Sequence, residues 1–198
     1  MPRDPAVRAH FLKLSLRALE RAEPALQDQA RAHLATELEA IERARGLAWL
    51  PLAHLLSMSA SAAEHGGSAG LRALVHDTMR MASQSPVWNR VIRMAIDTFG
   101  LRPPQVARWA PGVYRLAFRD TGRMEVPRAD DVSATILFTA VPPLCLEHPA
   151  YVAALVHALE YFFELTDTEG SVRRADIPEP TTTLAFELRL SPGPRSHP

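Results

Sequence analysis

Apolar residues recur every three or four positions through most of the first 121 residues, and every second position in several stretches between 122 and 190. The strongest helical stretch is 148–166, HPAYVAALVHALEYFFELT. Val152, Leu155, Val156, Leu159, Phe162 and Phe163 share one helical face, and Pro149 suits a first turn, where its missing N–H costs nothing. His157, Glu160 and Glu164 fall on the other side, which reads as a solvated face. Strand-like alternation flanks this helix on both sides, so the pattern predicts a helix laid across a sheet.

Taken in order, 6–23 and roughly 25–45 read as helices, with Gly46 as the C-cap of the second. GLAWLP is a connector, and Pro51 opens a third helix through about Glu64. HGGSAG (65–70) reads as a loop. A helix over 71–83 is expected to bury Leu71, Leu74, Val75 and Met79, which turns His76 towards the polar edge. Ser85-Pro86 starts another helix through Phe99. A helical piece begins near Gln105, and 111–122 leans to helix over strand. RMEVP (123–127) and VSATILFTA (132–140) flank the polar turn RADD as a hairpin. VPPLCLEHP connects to the 148–166 helix. SVRRADI (171–177) and TTTLAFELRL (181–190) form a second hairpin around PEP, in which Leu184, Phe186, Leu188 and Leu190 alternate with Ala185, Glu187 and Arg189 as in a half-buried antiparallel strand. The fold class expected is α+β: a helical N-terminal half packed with a four-stranded antiparallel sheet (ββ-α-ββ) crossed by one amphipathic helix. The division expected is a single domain over 1–198, with a helical half at 1–121, the ββ-α-ββ half at 122–190 and a frayed tail at 191–198.

Charge changes this picture by subtraction. Lys+Arg and Asp+Glu both number 22 among 198 residues, so there is no electrostatic case for nucleic acid or an anionic membrane as partner. No run reaches the ~18 apolar residues of a membrane span. Cys145 is the only cysteine, which excludes an intrachain disulfide and suits a reducing compartment. The N-terminus shows no signal-peptide pattern, and a cytoplasmic location is expected.

Candidate chemistry is sparse. The eight histidines are scattered without metal-ligand spacing, His157 with Glu160 and Glu164 has no matching motif on another helix, and no metal or cofactor is expected. Cys145 sits in an apolar connector with no adjacent cation and reads as a buried structural thiol. No nucleophile elbow, phosphate loop or dinucleotide fingerprint occurs, so no catalytic residue is assigned. Asp130-Asp131 fits a turn. What remains is an aromatic set able to line a pocket: Trp109, Tyr114, Phe118, Phe138, Tyr151 and Phe162.

Three stretches carry a resemblance: WLPLAHLL (49–56), VYRLAFRDTGRMEV (113–126), and the ending ALVHALEYFFEL…LAFELRL. With the order of elements, they resemble the scaffold shared by vinyl-reductase-type small-molecule-binding domains, haem–nitric oxide sensor domains and the small subunits of the transport protein particle. More narrowly, the chain is similar to an uncharacterised paralogous family of myxobacteria. The Tyr-x-Ser-x-Arg motif of the haem sensors is not matched at Tyr114-Arg115-Leu116-Ala117-Phe118, and the late cysteines of the vinyl-reductase-type domains are reduced to Cys145. The resemblance implies a non-catalytic module that senses a small apolar ligand or regulates by binding one. A protein-interaction or structural subunit, working with a protein partner or as a homodimer, is the alternative. Haem is not expected, because His76 is placed facing solvent.

Overall fold

A computed structural model describes residues 4–21, 27–28, 32, 34–85, 89–90, 94, 102–176 and 182–191 of the chain. The fold is α+β. The elements are β1 (Ala6–Arg8), α1 (Ala9–Leu19), α2 (Ala35–Arg43), β2 (Trp49–Pro51), α3 (Ala53–Gln84), α4 (Pro103–Ala107), α5 (Ala110–Ala117), β3 (Phe118–Arg119), β4 (Arg123–Ala129), β5 (Ser133–Thr139), α6 (Pro143–Leu146), α7 (Pro149–Leu165), β6 (Gly170–Ala175) and β7 (Leu184–Leu190). Proline occupies the first or second position of α4, α5, α6 and α7, where its fixed φ starts a turn and no hydrogen bond is lost.

The larger sheet is antiparallel throughout, in the order β4-β5-β7-β6, so the two hairpins join through β5 and β7. Ala134, Ile136 and Phe138 pair with Leu188, Phe186 and Leu184, which puts one apolar row from each central strand on the same face. All six are at most 2% exposed. Pro127 lies on edge strand β4, where the register shifts between Glu125 and Arg128; a residue without an N–H is tolerated there. Asp130 closes the β4–β5 turn by accepting from the backbone N–H groups of Val132 and Ser133, at 3.0 and 2.7 Å. Those bonds hold its carboxyl below the usual range.

Several expectations change. Residues 6–8 are a strand, not the start of a helix, and they pair with β2 and β3 in a second, three-stranded sheet that no local pattern announced. Its strands are two or three residues long, too short to show a period. Pro51 ends β2 and α3 begins at Ala53; α2 ends at Arg43 with Ala44 as its C-cap, not Gly46. The 111–122 stretch divides into the end of α5 and β3, and the VPPLCLEHP connector contains α6. Of the helix expected over 86–99, residues 89, 90 and 94 are described and are helical, with the Asn89 N–H donating to the Ser85 carbonyl at 2.8 Å; the PEP turn lies outside the described residues.

The expected loop at 65–70 is reduced to one residue. Gly67, at φ 60 and ψ −159, breaks α3 in a backbone region open essentially to glycine alone. A Cβ at position 70 would lie 2.9 Å from the Ala62 carbonyl oxygen, eight residues back. In a straight helix those positions are about 12 Å apart along the axis. The chain therefore bends sharply at Gly67, and 68–84 is re-aimed along α7.

That placement explains the remaining misreadings. α7 is pressed by β6 on one side and α3 on the other, so it buries Tyr151, His157, Leu159, Tyr161, Phe162 and Phe163, not a single stripe. His157 is buried, contrary to the solvated face expected for it, and its Nδ1 lies 2.9 Å from Glu160 Oε2. His76 is 7% exposed, not directed at solvent. Two helix faces that each read as polar meet one another, so His76 is withdrawn from water while Arg72, Arg80, Glu160 and Glu164 stay partly exposed.

Candidate functional site

Five aromatic rings step across the molecule from α1 to the sheet. Phe11 meets Phe118 edge-on at 5.4 Å, and Phe118 stacks on Tyr114 at 4.8 Å. Tyr114 meets Phe138 edge-on at 5.4 Å, and Phe138 meets Phe186 likewise at 5.8 Å. Such offset and edge-to-face pairs hold ring positions as well as burying area. Beside this run lies a cavity of about 190 Å³, walled by α1, both arms of α3, α5, α7 and the core face of β4 and β5.

Trp109, Tyr114, Phe118, Phe138, Tyr151 and Phe162 all stand in its wall. They come from 54 residues of chain, and the crossing of α5 and α7 over the sheet brings them together. The sequence reading missed the contribution of α1 and α3: Phe11, Leu55, Leu74 and Met79 also line the cavity. Their helical periodicity marked them as apolar without saying that they face a void. Leu55 precedes the bend at Gly67 and Leu74 follows it, so the bend folds both arms onto one cavity.

Polar groups near the wall are mostly satisfied by one another. The Tyr114 hydroxyl donates to Thr121 Oγ1 at 2.9 Å and lies 3.3 Å from the Tyr151 hydroxyl, which also meets the Cys145 thiol. Burial raises the pKa of Tyr114 and, more strongly, of Tyr151. It pushes the Cys145 thiol up to about 11, with the Tyr151 hydrogen bond acting weakly the other way. This is the reverse of what an activated cysteine requires.

A second cluster ties the cavity's two long helices together. Glu164 Oε2 accepts from His76 Nδ1 at 2.8 Å, and Oε1 accepts from Arg80 Nη2 at 2.6 Å. An ionised carboxylate only accepts, so the Nδ1 proton belongs to His76. Glu160 lies 3.4 Å from Arg72 one turn away. Burial works against the Glu164 carboxylate, but the hydrogen bonds from Arg80 and His76 outweigh it and its pKa falls below the ordinary value. The same pairing raises Arg80. Among the described residues no group of three or more His, Cys, Asp or Glu is placed to hold a metal ion, and no helix is long and apolar enough to cross a membrane.

No protein-family model matches the chain, and no curated protein matches it in sequence. Solved structures do match in fold. A mutant of the Fe(II) unliganded H-NOX protein from K. algicida is 10% identical, with 94% of this chain and 97% of that chain covered and a TM-score of 0.65. A mutant H-NOX from T. tengcongensis is 12% identical, covering 93% and 98%, at 0.62. An oxygen-binding H-NOX domain related to soluble guanylate cyclases is 13% identical, covering 92% of each chain, at 0.59. The chain has the fold of these domains.

Some of those structures are described by their haem, and the residues here can be tested against that group. A haem needs an axial ligand, a slot of macrocycle size and partners for two propionates. His76 has one favourable feature: its Nε2 is buried without a partner while its Nδ1 is oriented by a carboxylate, the arrangement that orients metal-bound imidazoles. His76 does not stand in the cavity wall, however, and no histidine occurs between it and His148. No charged side chain stands in the wall among the described residues. The volume also falls below the ~300 Å³ at which pockets for drug-sized ligands begin. The described residues do not fit a haem.

Proposed function

We propose that this chain is a non-catalytic binding domain that holds a small ligand in the cavity between α3, α5, α7 and the sheet, and that it acts as a sensing or regulatory module. The observation that carries this reading is the cavity itself. An interaction subunit without a ligand has no need of a void, and a void costs stability. Apolar wall left facing water forgoes burial worth about 25 cal/mol per Å². An occupant offsets this cost, and its binding free energy then depends on the closed arrangement of the helices that wall it, which is what a sensor requires.

The shared fold with H-NOX domains supports a sensing scaffold. The raised Cys145 thiol and the mutually satisfied tyrosines support the non-catalytic part. A single domain over 1–198, a bacterial cytoplasmic setting and kinship with the myxobacterial paralogues belong to the same proposal. Native mass spectrometry of freshly purified protein tests it. A small bound mass that is lost on denaturation, or saturable binding of an added small molecule, is expected. A protein that carries no ligand and takes up none from a chemically varied set of small molecules would refute it.

A further inference from the structure

The wall of the cavity narrows the chemistry of its occupant. Its side chains are carbon, methionine sulfur, hydroxyl and the Trp109 indole, with no carboxylate, ammonium, guanidinium or imidazole among the described residues. An ion placed there would lose its hydration with nothing to replace it. The hydroxyls are largely committed elsewhere. Ser15 donates to the Phe11 carbonyl at 3.2 Å, Thr78 to the Leu74 carbonyl at 2.7 Å and Ser83 to the Arg80 carbonyl at 2.8 Å, all within their own helices. Tyr114 donates to Thr121, which lies outside the wall. Ser59 is the wall hydroxyl without such a bond among the described residues, and a single rotatable hydroxyl on a helix is a weak anchor.

Size narrows it further. An apolar cavity of about 150 Å³ takes up benzene or xenon and stays dry without them. About 190 Å³ adds room for a short substituent and little more. The aromatic rings of Trp109, Phe118, Phe138 and Phe162 suit a flat partner, and Met79 and Met124 supply adaptable, polarisable contacts.

Resting on the ligand-binding reading above, we infer that the occupant is a neutral hydrocarbon-like molecule of single-ring size, bound without a hydrogen bond and in place of any haem. The fold of a haem-bearing domain here carries an apolar slot for a ring. Affinity then comes from displaced void and dispersion contacts, so it falls when the ligand gains a polar group that the wall cannot pair.

The test uses the full chain with four probes: toluene, phenol, benzoate and haemin. Toluene is expected to raise the thermal midpoint saturably and to shift the ring NMR signals of Phe138 and Phe162. Phenol is expected to bind more than about tenfold more weakly, because its hydroxyl is buried unpaired. Benzoate should not bind, and haemin should give no stoichiometric Soret band. Ala158→Leu, which fills the cavity from α7, should abolish toluene binding; Ala154→Val should weaken it, and serves if the first variant fails to fold. Phenol or benzoate binding more tightly than toluene, or a polar molecule found bound natively, would overturn the ligand class and leave the cavity reading standing. No binding by any probe, with no native ligand, would overturn both, and a stoichiometric haem band would overturn the apolar slot.

Discussion

Glu164 is the carboxylate that joins the two long helices of the cavity wall, and its removal should be felt. Glu164→Ala deletes the bond to His76 at 2.8 Å and the bonds to Arg80 at 2.6 and 3.2 Å. Arg80 is half exposed, with 49% of its side chain in solvent, so that arm is worth about 0.2–1 kcal/mol. The arm to His76 is different, because that side chain is 9% exposed and loses its only hydrogen-bond partner among the described residues. A hydrogen bond to a charged group contributes about 1.5–3 kcal/mol, which is reduced here because Glu164 itself keeps 38% exposure. The sum is about 1.5–3 kcal/mol. For a chain of this length that is a fall of roughly 3–12 °C in thermal midpoint.

Urea unfolding at pH 7 measures the loss, and a double-mutant cycle with Arg80→Ala separates the two arms. The pH dependence has a definite sign. Glu164 has a lower pKa folded than unfolded, so the unfolded chain binds its proton first. Its contribution is complete above the unfolded value of about 4.3 and is lost as pH falls through the folded one. The gap between wild type and Glu164→Ala should therefore close in acid. A loss under about 0.5 kcal/mol at pH 7, or a gap that stays unchanged at pH 3, would refute the reasoning.

Other outcomes rest on single contacts. Leu159 is 3% exposed in the core, so Leu159→Ala should cost about 2–5 kcal/mol in chemical denaturation; a cost under 1 would mean that the residue is not core. A Cβ at Gly170 would lie 2.0 Å from the buried Phe163 ring and 2.6 Å from the Arg189 carbonyl oxygen, so Gly170→Ala should destabilise by about 1–3 kcal/mol by pushing α7 off β6. An unchanged urea midpoint would count against that packing. The Cys145 thiol, pushed up to about 11, should resist an aromatic disulfide reagent at pH 8 and react at once in denaturant. Rapid labelling of the folded chain would show the thiol to be open. Ionisation of Tyr151, followed by ultraviolet absorbance, should be absent below the pH at which the chain unfolds, because burial holds its pKa well above the ordinary value.

The α+β architecture was legible because its determinants are local. Alternation along 184–190, apolar spacing along 149–165 and prolines at helix starts each act within a few residues, and the structure forms the strand and the helices they predict, though the buried face of α7 departs from the expected stripe. The aromatic residues of the cavity wall could each be named from the sequence, since large rings must be accommodated somewhere. Their meeting around a void was not, because a void is a property of packing among several elements. The small sheet was invisible for a related reason. It pairs residues 6–8 with 49–51 and 118–119, and strands of two or three residues exist only through partners distant in sequence.

His76 and His157 show where tertiary structure decides against the local pattern. Each stands beside charged residues on its own helix, and a single helix with such a face turns it to water. The bend at Gly67 instead lays 68–84 along α7 and sets Arg72, His76 and Arg80 against Glu160 and Glu164. Opposite charges on two helices can satisfy each other as water would have done. A sequence periodicity reports only that a face needs polar partners. Whether solvent or another helix supplies them is settled by the path of the chain.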